Sequence, residues 1–243
     1  MKGALALFFV ATAAFAQQEP FPLPPGDWPK PVGDSEPFGY ALVDRLEYRA
    51  QPGKDLGLWD VQGWFGGDYQ KIWVKTEGER EAGGRTENAE AQALYARRIS
   101  PYWHLQVGVR RETRPSPARD TAVIAVQGLA PYWFDVEAMA FVGNGRVSGR
   151  VEGEYDQFLT QRLVLQPRAE LVFASAADPG RGAGKGLNHI EAGLRLRYEV
   201  RRELAPYIGV NWTRRFGETA DLARAEGRDV SEPSFLIGVR AWY

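Results

Sequence analysis

Few side chains in this 243-residue sequence can bind a soft metal ion or act as a general base. The chain has no cysteine, two histidines and two methionines, one of which is Met1. Disulfides, thiolate metal sites and cysteine nucleophiles are therefore excluded. His104, Met139 and His189 remain as candidate ligands for a borderline or soft metal ion.

Carboxylates form a second candidate group. Asp135, Glu137, Glu152, Glu154 and Asp156 each alternate with other residues in two successive segments, so each segment places its carboxylates on one face. Such a set can form an acidic wall that attracts cations, or it can simply pair with neighbouring arginines. The formal net charge of −1 gives no reason to expect nucleic acid as a partner.

The elements that position these residues show a period of two. In 189–200, for example, Ile190 and Leu194 share one face, whereas Glu191 and Arg195 share the other. This pattern indicates strands with one apolar and one charged face. Soluble sandwiches also alternate, but these segments run to about 10–14 residues, which is long for a soluble strand and sufficient to cross a bilayer.

The connections between these segments also alternate in length. The predicted strands are 38–50, 57–65, 69–80, 89–99, 102–113, 120–128, 132–142, 147–157, 162–174, 187–201, 206–216 and 233–243. Short turns therefore lie at one end and longer loops at the other. The sequence predicts an all-β fold, a 12-stranded antiparallel transmembrane outer-membrane β-barrel over 38–243, with short periplasmic turns and longer outer loops.

The sequence before the barrel predicts export. Residues 1–16 carry Lys2, an apolar run and the small residues Ala14 and Ala16, which indicates a signal peptide cleaved after 16. Residues 17–37 hold seven prolines and predict an extended periplasmic arm. A plain linker and a segment folded into the barrel cavity are both compatible with that composition.

Three short motifs place aromatic rings next to proline. Pro101, Pro131 and Pro206 are each followed by tyrosine, and we expect each proline to begin a strand at the periplasmic side. The rings would then lie at the depth of the lipid headgroups. Two residues break the alternation, namely Asp44 on the lipid side and Pro167 within a strand. Bulges would accommodate both, although the pattern does not locate them.

Long motifs of this chain resemble one known family. They are WFGGDYQKIWVKTEGE, ENAEAQALYARRISPYWHLQVGVR, QGLAPYWF, EYDQFLTQRLVLQP, GLRLRYEVRRELAPYIGVNWTRRFGETADLAR and the terminal GVRAWY. They are similar to the outer-membrane copper resistance B proteins of Gram-negative bacteria. The resemblance implies a barrel in the bacterial outer membrane, in contact with its lipid, and a role in copper tolerance. It also implies copper ions as ligand or cargo and periplasmic copper-handling proteins as partners.

The sequence departs from this family at its N-terminus. The N-terminal segment of the family is typically rich in methionine and histidine, whereas 17–37 contains neither. The three remaining ligand candidates should face the lumen at different heights. His104 should lie near the periplasm, Met139 midway and His189 near the outer mouth, so we expect no single site shared by all three.

Three functions are compatible with these patterns. The first is an outer-membrane copper resistance and homeostasis protein that binds copper ions or lets them pass through the charged lumen. The second is a general small-solute channel. The third is a lipid-acting barrel enzyme, which would need a nucleophile close to His104 or His189. Because no serine is placed next to either histidine, we expect the protein not to be an enzyme.

Overall fold

A computed structural model describes residues 37–243, which form thirteen strands and one α-helix. The strands are β1 Phe38–Ala50, β2 Leu56–Gly66, β3 Gln70–Glu81, β4 Thr86–Ser100, β5 Trp103–Arg114, β6 Arg119–Ala130, β7 Phe134–Gly143, β8 Arg146–Glu154, β9 Gln157–Phe158, β10 Leu163–Ala174, β11 Gly186–Tyr198, β12 Leu204–Arg215 and β13 Ser231–Trp242. The helix is α1, Gly217–Ala225. The predicted signal peptide and almost all of the predicted arm lie outside the described residues.

The twelve long strands form one closed antiparallel ring. Consecutive strands pair with each other, β8 pairs with β10, and β13 pairs with β1 to close the ring. The closing hydrogen bonds link the backbones of Ala41 and Tyr243 in both directions, at 2.8 and 2.9 Å. The short strand β9 adds only to the edge of β10. The prediction of a 12-stranded barrel is confirmed, and closure leaves no long strand with a free edge.

The distribution of side chains is the reverse of that in a soluble protein. Large apolar side chains such as Ile72, Ile124 and Ile208 are 53–60% exposed on the outside of the barrel. Inside, charged side chains such as Glu47 and Arg195 are only 2–3% exposed. This arrangement suits a wall that contacts lipid around a polar interior.

The two ends of the barrel differ. The turns 67–69, 101–102, 131–133, 155–162 and 199–203 lie at one end, which we call the turn end. The other end, the loop end, carries the two longest connections, 175–185 and 216–230, the latter containing α1. Connection 155–162 is longer than predicted because β8 already ends at Glu154. Among residues 37–243, no helix is long and apolar enough to cross a membrane.

A bulge in β1 explains the unusual position of Asp44. The pairing with β2 shifts by one residue between Val43 and Arg45, so Asp44 is the extra residue. Its side chain turns into the lumen, where Oδ1 lies 2.9 Å from Nε of Arg240. The alternation of β1 therefore changes phase at this residue, and the bulge expected to accommodate Asp44 is confirmed and located.

Pro167 lies where the neighbouring ladder is interrupted. Its carbonyl accepts a hydrogen bond from the backbone N–H of Tyr155 at 3.1 Å, and β10 pairs with β8 only from Arg168 onward. The N and O atoms of one strand residue point to the same side. The nitrogen of Pro167, which has no hydrogen to donate, therefore faces the break between β8 and β9.

The prediction that three prolines begin strands was only partly right. Pro101 lies in a turn two residues before β5, but Pro131 opens a one-turn 3-10 helix and β7 begins at Phe134. Pro206 lies inside β12, and Tyr207 after it is buried in the lumen against Glu47, so the headgroup prediction for this ring was wrong. Tyr132 and Trp133 adopt positive φ angles of 67° and 68° in this turn, and their rings are 84% and 71% exposed at the turn end. Exposed rings at this height fit the headgroup region of a membrane.

Candidate functional site: the charged lumen

The barrel encloses two cavities. The larger, about 650 Å³, opens between the loops and is called here the outer vestibule. The smaller, about 90 Å³, lies nearer the turn end and is called the inner chamber. The cavities share three lining residues, Glu77, Glu90 and Arg150, which therefore mark the boundary between them.

The inner chamber is strongly acidic. The acidic residues that line it are Asp44, Asp60, Glu77, Glu90, Asp135, Glu137, Glu152 and Glu154. Only Lys75, Arg150 and Arg240 oppose these eight carboxyl groups in the lining. The outer vestibule is close to balanced, with eleven basic and ten acidic residues in its lining. An ion that moves from the vestibule to the chamber therefore enters a more negative environment.

The register of β7 and β8 concentrates the negative charge. Asp135 lies directly opposite Glu154, and Glu137 lies directly opposite Glu152. Like charges that face each other across two strands are destabilising unless a counter-charge lies nearby. Two adjacent pairs of this kind form the acidic wall of the chamber.

Basic and amide groups offset most of this wall. Lys75 Nζ contacts Glu137, Arg168 Nη2 lies 2.5 Å from Glu152 Oε2, and the side-chain amide of Gln166 donates to Glu154 Oε2 at 3.2 Å. Asp156, in the connection that follows β8, lies 2.6 Å from Arg197 Nη2. Asp135 has no ion-pair partner among residues 37–243. The wall is thus held by paired charges but is not neutralised.

A chain of ion pairs crosses the lumen at the boundary of the cavities. Arg150 on β8 donates to Glu77 on β3 at 2.5 Å and to Glu90 on β4 at 3.4 Å. The other carboxylate oxygen of Glu77 accepts from Arg45 on β1 at 3.1 Å. Because β3 and β8 lie nearly opposite each other in the ring, this chain spans the interior.

The wall on the side of β1, β10 and β11 is rich in buried ion pairs. Glu47, whose side chain is fully buried, accepts from Arg195 at 2.7 Å, from Arg49 at 2.8 Å and from Tyr207 at 3.0 Å. Glu191 lies 3.1 Å from Arg49. Removing so many charges from water requires pairing of this quality.

Loop 175–185 is fixed to the mouth of the outer vestibule through Asp178. This carboxylate lies 2.5 Å from Arg119 and 2.8 Å from Arg146. Partial burial alone would raise the pKa of Asp178, but the hydrogen bond from Arg119 and the charges of both arginines hold this pKa below its ordinary value.

The structure places the three predicted ligands at separate points of the lumen. His104 lies on β5 near the turn end, with its ring 6.4 Å from that of Trp73. Met139 lines the inner chamber, and its Sδ lies 3.9 Å from the amide nitrogen of Gln92. His189 lines the outer vestibule with Nε2 3.8 Å from Glu170, a residue of the adjacent strand that the sequence analysis did not pair with it.

These residues do not form a preformed metal centre. Within the part of the chain that the structure describes, no group of three or more His, Cys, Asp or Glu side chains is arranged to hold a metal ion. The inner chamber instead offers carboxylate and amide oxygens and one thioether. Such donors fit a divalent cation that keeps part of its water.

Sequence reasoning missed an apolar cluster inside the barrel. It consists of Trp73, Leu94, Ala96, Val123, Ala125, Met139 and Phe141. The alternation of the sequence places these residues on the inward face, since they alternate with outward residues such as Tyr95 and Ile124. Part of the lumen wall on β3, β4, β6 and β7 is therefore apolar, and this packing narrows the interior.

Comparisons with known proteins identify the family. The family model described as "Copper resistance protein B precursor (CopB)" matches residues 37–243. Copper resistance protein B of Escherichia coli is 48% identical over 213 residues, which cover 87% of this chain and 72% of that protein. The copper resistance protein B homolog of Pseudomonas syringae pv. tomato is 43% identical over 214 residues, with the same coverage of 87% and 72%.

Two solved structures with a similar barrel fold are porins. The NanC porin aligns with a TM-score of 0.56 at 16% identity and covers 83% of this chain and 98% of its own. The KdgM porin aligns with a TM-score of 0.52 at 12% identity and covers 84% and 98%. At such identities the likeness concerns the barrel fold alone. With the family match over the whole described region, these findings show that the chain belongs to the copper resistance protein B (CopB) family and is an outer-membrane β-barrel.

Proposed function

We propose that the barrel lets copper ions pass through its lumen, with the inner chamber as a transient binding site. The observation that carries this proposal is the composition of the chamber, in which eight carboxyl groups face three basic side chains inside a closed wall. A cation of high charge density is favoured in such a space over an anion or a neutral solute.

The pairing of the chamber carboxylates suits passage better than storage. Lys75, Arg168 and Gln166 each occupy one carboxylate of the acidic wall, so an entering ion must compete with a partner that is already present. Conduction requires binding that is strong enough for entry and weak enough for release. Competition of this kind lowers the affinity without removing the attraction.

The predicted ligands fit this proposal as separate contacts along one path. His189 would meet the ion at the outer vestibule, Met139 in the inner chamber and His104 near the turn end. Imidazole and thioether groups suit copper better than they suit magnesium or calcium. Each would provide a single contact, and the carboxylates would provide the remaining oxygen donors.

The other parts of the chain have roles that fit the passage of copper through the barrel. Residues 1–16 would direct export and be removed, and 17–37 would form a periplasmic arm ahead of the barrel. The outer wall contacts outer-membrane lipid, and the turn end faces periplasmic copper-handling proteins. We expect neither nucleic-acid binding nor catalytic activity.

A strain that lacks the gene tests this proposal in cells. Wild-type protein should restore copper tolerance and alter cell-associated copper, whereas the double variant Glu137→Gln, Glu154→Gln should lose most of this effect. Glu232→Gln is the matched control, because Glu232 lies in the outer vestibule and pairs with Arg215 at 2.8 Å. Equal complementation by the double variant and the control, at equal amounts of folded protein, would contradict a role for the chamber.

The alternative of a general small-solute channel makes a different prediction. The ion pairs that cross the lumen between β3 and β8 oppose a wide pore. Conductance in planar bilayers separates the two, because a general channel would carry current that is indifferent to copper and to the charge of the chamber.

A further inference from the structure

Arg150 lies where the outer vestibule and the inner chamber meet. Its side chain lines both cavities, together with Glu77 and Glu90. In the ring, β8 is separated from β3 by four strands in one direction and by six long strands in the other. The hydrogen bond of 2.5 Å from Arg150 to Glu77 therefore crosses the lumen instead of following the wall.

The two carboxylates that Arg150 contacts also bind other arginines. Arg45 donates to the free oxygen of Glu77 at 3.1 Å, and Arg110 lies 3.4 Å from Glu90. The side chains of Arg150, Glu77 and Glu90 are only 17%, 24% and 12% exposed. The result is a layer of well-shielded, alternating charges that joins β1, β3, β8, β4 and β5 at one level of the barrel.

We infer that Arg150 is the residue that controls passage between the outer vestibule and the inner chamber. A solute that crosses this level must separate the guanidinium from Glu77 or Glu90. The positive charge of Arg150 repels any cation that cannot do so, whereas a divalent cation that binds carboxylates strongly replaces the guanidinium and is admitted. The identity of the ion rests on the proposed function, but the barrier itself applies to any small cation.

The exchange replaces the single positive charge between the two carboxylates with a divalent ion. When a divalent ion binds between Glu77 and Glu90, two carboxylates that shared one guanidinium share two positive charges instead. The released Arg150 stays beside Glu152, which lies two residues along the same strand and also lines the inner chamber, and it returns to Glu77 once the ion has moved into that chamber. No other reactant is needed.

Planar-bilayer conductance in KCl without copper tests the barrier. Arg150→Ala should conduct several-fold more than wild type. Arg150→Lys keeps the charge but cannot bridge two carboxylates with a planar fork, so its conductance should lie between the two. Arg224→Ala is the control, because it removes one positive charge at an exposed pair in α1 and Arg224 lines neither cavity. Its conductance should equal that of wild type.

A second variant tests the same barrier if Arg150→Ala does not insert into the bilayer. Glu77→Gln removes the same bridge from the opposite wall and should raise the KCl conductance as well. A shift in gel mobility on boiling verifies that each variant is folded. The inference would be overturned if folded Arg150→Ala had the conductance of wild type. If Arg150→Ala does not fold, the same result for folded Glu77→Gln would overturn it. A raised conductance that Cu²⁺ does not affect would support the barrier and count against copper passage.

Discussion

Glu47 offers the sharpest test of the buried ion-pair wall. Its side chain is fully buried and holds Arg195 at 2.7 Å and Arg49 at 2.8 Å. The Nη1 and Nη2 groups of Arg195 have no hydrogen-bond partner among the described residues, so Glu47 is the main counter-charge of this guanidinium. Arg49 keeps Glu191 at 3.1 Å when Glu47 is neutralised. The substitution Glu47→Gln thus leaves one buried positive charge unpaired.

The expected loss of stability follows from this one unpaired buried charge. Breaking a buried ion pair from one side costs about 3–5 kcal/mol, and we expect Glu47→Gln to lower the free energy of unfolding by about that amount. Adding Arg195→Met to the same chain removes the orphaned charge and should restore most of the loss, because partners in direct contact are not additive. Asp221→Asn, at an exposed pair in α1, is the control and should cost less than about 1 kcal/mol.

Urea unfolding in lipid vesicles measures these differences. The eight tryptophans of the chain report the transition by fluorescence. The reasoning is refuted if Glu47→Gln loses no more stability than Asp221→Asn, or if the added Arg195→Met deepens the loss.

Three further predictions concern the wall, a loop and a close contact. Ile124→Lys, on the outer surface midway along β6, should cost about 2–4 kcal/mol in vesicle unfolding and Ile99→Lys, near the turn end, about 1 or less; equal costs would contradict a lipid-facing wall. The lowered pKa of Asp178 means that its pairs stabilise loop 175–185 above the unfolded-state pKa and that this contribution is lost as the pH falls through the folded-state pKa. Asp178→Asn should therefore speed cleavage of this loop at neutral pH, with wild type reaching the same rate only in acid; equal rates at neutral pH would refute the anchoring role. Gly238→Ala places a Cβ 2.6 Å from the ring of Tyr207 and should lower the free energy of unfolding by about 1–3 kcal/mol in the same assay. An unchanged unfolding transition would show that the ring moves away at no cost in stability.

The strands were predictable because their signal is local. Alternation alone placed β1 at its observed bounds, Phe38–Ala50, and β10 within one residue of Leu163–Ala174. The sequence shows that Asp44 breaks the alternation but not where the bulge lies, because one extra residue leaves the residues on both sides of it in alternation. Only the partner strand reveals where the register shifts.

The sequence predicts which face of each strand carries the residues of the candidate site, but it does not predict which residues they contact. Alternation puts Arg150 and Glu77 on the charged faces of their strands, and the structure turns both faces into the lumen. Their contact across 73 positions of sequence depends on how far each strand is staggered around the ring, which no local pattern records. The same limit applies to the inward apolar residues Leu94 and Ala96, because alternation gives their face but not their packing against residues of β3, β6 and β7.

Copper flux into sealed proteoliposomes tests the central claim most directly. Vesicles that contain wild-type barrel and a copper-quenched dye should lose fluorescence on addition of Cu²⁺ much faster than protein-free vesicles. The double variant Glu137→Gln, Glu154→Gln should be slower than wild type, and Glu232→Gln should match it. Wild-type vesicles that take up Cu²⁺ no faster than protein-free vesicles would contradict passage of copper through the acidic lumen.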